Sequence, residues 1–147
     1  MRTTDNSDEQ RNKGRDGEMH VESHLHRVFT PLYCYSQPKD LLDKNQHEIC
    51  DHLVCWEDTL IIISEKNWNF TGDHGQYHKK TVENAVTQIQ GAERKLFTFP
   101  RDIEIEHPYY GRNRFSKEKF SRVIRLVVNL GEGEEFYPLA KETNRSA

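Results

Sequence analysis

Apolar residues at Val21, Leu25 and Val28 fall at i, i+4 and i+7, with Met19 and Phe29 beside them, and the spacing predicts an amphipathic helix over 18–29 that stops before Pro31. Glu18 then sits at the edge of the buried stripe. LYCYSQ (32–37) reads as a short aromatic strand, followed by a polar connection, PKDLLDKNQ (38–46). HEICDHLVCW (47–56) and TLIIISEK (59–66) read as two strands turning through Glu57 and Asp58, a junction so tight that the pair must be antiparallel. NWNFTGDHGQYH (67–78) reads as a loop. Val82, Ala85, Val86, Ile89, Ala92, Leu96 and Phe97 then keep helical period up to Pro100. Ile103 and Ile105 alternate with acids in a short strand, a polar Tyr, Gly and Arg loop follows, and RVIRLVVNL (122–130) reads as a last strand. The order is α-β-β-β-α-β(-β). It predicts an α/β (α+β) fold with a mixed central sheet flanked by helices in one compact domain.

Composition modifies this picture at the ends. A chain of 147 residues with 34% hydrophobic and 31% charged positions is polar for a compact fold, so part of it should be tail. Residues 1–17 have no large apolar residue after Met1 and read as a disordered arm, residues 18–130 as the domain, and 131–147 as a C-terminal tail. A formal net charge of −3 argues against holding nucleic acid by bulk positive charge, yet allows a local basic patch or bridging metal ions. Three cysteines, Cys34, Cys50 and Cys55, with no signal peptide and no apolar run of transmembrane length, suit free thiols in a reducing cytoplasm and no membrane partner.

The charged residues carry the chemistry. Asp51 lies among Ile49, Leu53 and Val54 and could be an ordinary surface acid, but a tight hairpin brings it to the same sheet end as Lys66. A carboxylate beside a strand-borne lysine, with Glu18 from a flanking helix, suits metal-assisted phosphodiester hydrolysis: oxygen ligands hold a hard cation and the lysine offsets developing charge. A zinc site is the rival. His20 and His24 are four apart on the first helix, but no third ligand is placed and a solvated helix face explains them. His47, Cys50, His52 and Cys55 divide between the two faces of a strand and cannot surround one ion. Lys79, Lys80, Arg94 and Lys95 could contact phosphates or simply form a solvated face.

DHLVCWEDTLIIISEKNW (51–68) resembles the signature of the PD-(D/E)xK nuclease superfamily, in particular its nuclease-related, NERD-like branch. KGRDGE (13–18) is similar to the Gly-Glu that opens the first helix of those proteins, and TQIQGAERKL (87–96) to their glutamine-bearing helix. The resemblance, over residues 13–130, implies a restriction-endonuclease-like core and a Mg²⁺- (or Mn²⁺-) dependent endonuclease acting on DNA, in defence or repair. It implies Asp51 as metal ligand, Lys66 as catalytic lysine, Glu18 as auxiliary ligand and Gln88 as a helper. Where the family pattern places an acid two residues before the lysine, this chain has Ser64. Glu65 is the residue taken for the missing acid, as metal ligand and catalytic group, if a β-bulge turns it to the face of Lys66. Otherwise Glu83 or Glu93 from the following helix supplies the carboxylate, or the site is impaired. The alternative function is thus a nuclease-fold domain without chemistry that binds nucleic acid or a protein partner.

Overall fold

The computed structural model describes residues 6–132. Helix α1 (Asn6–Phe29) leads through a short 3-10 turn into β1 (Cys34–Ser36). Strands β2 (His52–Trp56) and β3 (Thr59–Lys66) form the expected antiparallel hairpin, with His52 opposite Ile63 and Trp56 opposite Thr59. Helix α2 (His74–His78) passes through a π-helical turn, Lys79–Glu83, into α3 (Asn84–Thr98). A hairpin of β4 (Ile103–His107) and β5 (Gly111–Phe115) precedes the last strand, β6 (Arg122–Asn129). The four-stranded sheet has the order β1-β2-β3-β6, antiparallel except where β6 lies parallel beside β3, and β4 and β5 form a second small sheet. The fold is a mixed α/β arrangement.

Strand alternation explains the layers. Leu60 and Ile62 point to one face of β3 and join Leu53, Ile89, Ala92 and Leu96, so α3 covers that face. Ile61 and Ile63 point to the other and join Cys34 and Val54, with Leu25 and Phe29 of α1 packed on them. Leu60 and Ile62 are wholly buried, which makes β3 the centre of the core. Ile103, Ile105 and Phe115 close the α3 side, so the small hairpin serves as an extra wall of the same core.

Several sequence expectations need correction. Helix α1 begins at Asn6 rather than Glu18, so residues 6–17 of the expected arm are helical. They contain no proline, and tertiary contacts fasten the segment: Lys13 Nζ donates to Asn69 Oδ1 at 3.2 Å, and Asn67 Nδ2 donates to the Lys13 carbonyl at 2.9 Å. Val28, expected in the buried stripe, is 70% exposed, and Phe29 packs inward instead. Strand pairing of 47–56 is confined to β2, preceded by an isolated bridge between Lys39 and Glu48. The expected loop 67–78 contains α2, whose start is capped by Asp73 Oδ1 accepting from Gln76 N at 3.0 Å. The polar loop after β4 is instead β5, held by cross-strand ion pairs of Arg112 with Glu104 and Arg114 with Asp102 rather than by apolar alternation. Glu132 N donates to Asn69 Oδ1 at 2.9 Å, so the first residues of the expected tail belong to the domain; those from 133, like residues 1–5, lie outside the described residues.

Candidate functional site

One end of the sheet gathers the polar residues. Register sets this up: His52 opposes Ile63, so Asp51 falls opposite the Ser64 to Lys66 end of β3. Asp51 is held from two sides. Its carbonyl accepts from Gln37 N at 2.8 Å, while its Oδ2 accepts from Glu65 N at 2.6 Å. Ser64 Oγ lies 3.2 Å from Asp51 Oδ2 and 2.9 Å from Gln88 Oε1, with one hydroxyl proton serving two acceptors. Gln88 Oε1 also accepts from Lys66 Nζ at 2.5 Å. Asp51, Ser64, Gln88 and Lys66 are therefore one continuous hydrogen-bonded set on the α3 face. Gln88 can reach them because α3 is docked by Ile89 and Ala92 on the core side of the same helical turns.

Glu65 lies elsewhere. The β3–β6 ladder runs unbroken through Ser64, Glu65 and Lys66 against Val127, Val128 and Asn129, so no bulge re-aims the side chain. It points to the α1 face, where its Oε2 meets His52 Nε2 at 3.2 Å in a contact whose side chains are 5% and 1% exposed. A carboxylate only accepts, so Nε2 donates; Ser36 Oγ is 3.4 Å from Nδ1 on the other side of the ring. Gly17 of α1 closes this compartment: a Cβ there would run into Glu65 Oε1 and come within 3.3 Å of Leu130 Cδ1. The glycine of KGRDGE is needed for helix approach.

The helix acids are also placed apart from Lys66. Glu93 is paired with Arg125 through contacts of 2.6 and 2.7 Å, and exposed Glu83 sits 3.5 Å from His78. The carboxyl beside Asp51 is one that the sequence reading passed over, Glu48. The Glu48 carboxyl comes within hydrogen-bonding reach of Asp51, and partial desolvation, then repulsion by Asp51 and Glu18, hold its pKa above the ordinary glutamate value. Glu18 is likewise raised, first by desolvation and then by Glu65, with a hydrogen bond from Gln37 opposing. The signal for Glu48 is its place three residues before Asp51, in a segment that bends away from the β2 ladder and so escapes strict alternation.

These groups border two clefts of about 340 Å³ each that share Gln88. The first is lined by Glu48, Asp51, Ser64 and Lys95, the second by Lys66, Trp68, Lys80, Asn84 and Thr87. One side is predominantly acidic and the other basic and aromatic. Among the described residues, no three of His, Cys, Asp and Glu are grouped so that one ion could touch all of them. Asp51 and Glu48 form a two-carboxylate set, a common protein contribution to a Mg²⁺ site whose other ligands are water and phosphate oxygens. His20 and His24 lie on the exposed side of α1 with ring centres 4.5 Å apart and planes tilted by 48°. Among the described residues no helix is long and apolar enough to cross a membrane. Comparison with protein-family models, with curated proteins and with solved structures finds no match to this chain.

Proposed function

We propose that the chain is a Mg²⁺-dependent nuclease-like domain that hydrolyses phosphodiester bonds of nucleic acid, DNA first among them. The single observation that carries the reading is the Asp51–Ser64–Gln88–Lys66 set at the sheet end, because it links a carboxylate lining one open cleft to an ammonium lining the adjoining cleft through their shared Gln88. The element order, with β6 parallel beside β3 after helix α3, supports it as the arrangement expected of a restriction-endonuclease-like core with a hairpin inserted before the last strand. Asp51 and Glu48 are the residues that would hold the cation. When bound, a hard divalent ion supplies Lewis acidity toward a phosphoryl oxygen and lowers the pKa of an attacking water.

The chain's own residues do the rest. Lys66 presents its ammonium group where negative charge grows on the phosphoryl oxygens, and Gln88 Oε1 fixes its direction by accepting from it. Ser64, in place of an acid, links Asp51 to Gln88 and keeps both oriented. Glu65 contributes through its backbone N–H, which donates to Asp51, while its side chain secures the α1 face. Glu18 adds negative potential at the same sheet end. The second reading, a binding domain without chemistry, draws on Ser64 standing where the family has an acid.

Cleavage of supercoiled DNA in Mg²⁺ against EDTA decides between the two, with Asp51→Asn and Lys66→Ala as controls. The nuclease reading expects nicking that both substitutions reduce by 10²-fold or more. It also expects Mg²⁺ to raise the melting temperature of the parent and not of Asp51→Asn. Cleavage that persists in both variants, or Mg²⁺ stabilisation that ignores Asp51, rejects it.

A further inference from the structure

The second cleft, beyond Gln88, holds groups that the proposed hydrolysis leaves unused. Trp68 is 41% exposed, and Lys80 Nζ sits 3.9 Å from the centre of the indole ring. Trp68 is not a loose loop residue. Its N–H donates to Asn129 Oδ1 at 3.1 Å, its carbonyl accepts from Asn129 Nδ2 at 3.2 Å, and a Cβ on Gly131 would collide with its backbone. The end of β6 thus grips the Trp68 backbone while the residue as a whole stays exposed. Asn129 in turn donates to Tyr77 Oη at 2.7 Å, which ties this grip to the start of the helix that carries Lys80.

The basic groups here are not held by acids. Among the described residues, neither Lys66 nor Lys80 has a carboxylate within ion-pair distance, whereas Lys95 reaches Asp43 and Arg125 is held by Glu93. A cleft of about 340 Å³ is at the small end of ligand pockets, which run from roughly 300 to 1,000 Å³, and admits one nucleotide unit rather than a stacked duplex. An indole face beside ammonium groups is the chemistry that receives an unpaired base and its phosphates. Asn84 adds an amide at the same wall, one turn of α3 before Gln88.

We infer that the Lys66–Trp68–Lys80–Asn84 cleft is a nucleotide subsite that stacks one unpaired base on Trp68 and holds its flanking phosphate with Lys80, so that the domain prefers single-stranded or frayed nucleic acid. The inference takes its nucleic-acid substrate from the proposed function and adds the strand state. Because Gln88 belongs to both clefts, a base seated on Trp68 places the adjoining phosphate toward Lys66 and the Asp51–Glu48 pair.

The test is binding without turnover. Fluorescence anisotropy in EDTA measures the affinity of the whole chain for a labelled 12-nucleotide dT strand, for the same length of RNA (rU), and for a blunt GC-rich duplex. The expected order puts the single strands first. Trp68→Leu weakens strand binding about ten-fold or more, Trp68→Phe retains most of it, and Lys80→Gln lowers the salt slope by about 0.7, the value of one phosphate contact on a single strand. Melting curves of the variants verify that they fold. Equal affinity of Trp68→Leu and parent for the strands, or tighter binding of the duplex, overturns the subsite. If parent binds strands through Trp68 but never cleaves with Mg²⁺, the subsite stands and the hydrolytic reading falls; if it cleaves while Trp68→Leu binds and cleaves like parent, the reverse holds.

Discussion

Two faces of one sheet end carry acids of opposite fate. On the α1 face Glu65 is sealed with His52 and shut in by Gly17. On the α3 face Asp51 and Glu48 border an open cleft together with Ser64 and exposed Gln88. Glu65 and Lys66 are neighbours in sequence, yet strand alternation sends them to opposite layers with different neighbours. The sealed acid has a hydrogen-bonding partner and little water, which is how a fold keeps a buried carboxylate stable. The open acids crowd one another. Crowded charge facing solvent is available to a ligand, and paired charge under a helix holds the sheet end still.

Breaking the sealed side should cost stability most. Glu65→Ala leaves His52 with a buried ring N–H and no acceptor, and a loss of about 2–3 kcal/mol is expected from denaturant unfolding. On the open side, Gln88→Leu should leave stability near parent because the residue is exposed, while freeing Lys66 and slowing cleavage about ten-fold. Gly17→Ala should cost about 1 kcal/mol, since the added methyl displaces the Glu65 carboxyl, and the melting temperature should fall without change in the slope of the denaturant curve.

The smallest effect is in pH. Glu48 has a folded-state pKa above the ordinary value of 4.5, so the native state binds its proton more tightly than the unfolded chain. Stability attributable to this group is therefore fully present below 4.5 and is lost as pH rises through the raised value. Glu48→Gln should flatten that part of the stability profile, raising neutral-pH stability by less than about 1 kcal/mol, because the residue remains largely exposed. Mg²⁺ should flatten the same part of the profile in the parent if Asp51 and Glu48 hold it.

The core was readable in the sequence where apolar runs were long. TLIIISEK forms β3 over its full length, and Ile89, Ala92 and Leu96 lie on the buried face of α3 as their period implies. Asp51 and Lys66 could be placed at one sheet end because a tight hairpin sets their register, whereas Gln88, on α3, was expected there only through the family resemblance. What failed to show is structure maintained by polar contacts. Residues 6–17 are helical without an apolar stripe, β5 exists because its arginines meet the acids before and within β4, and α2 rests on the Asp73 cap. Glu48 escaped notice for a related reason: its role follows from a bend before β2 that no periodic pattern encodes. Trp68 closed the 51–68 segment and otherwise read as loop, with no role of its own, because its grip by Asn129 spans 61 residues of sequence.

The decisive comparison is cleavage of one DNA substrate in Mg²⁺ by parent, Lys66→Ala and Glu65→Gln, the last chosen because glutamine keeps an acceptor for His52. If the α3 face is the reacting one, Lys66→Ala loses 10²-fold or more in rate while Glu65→Gln stays within a few-fold of parent. The opposite ranking, with Glu65→Gln inactive though folded and Lys66→Ala active, would contradict the assignment of the open face as the site.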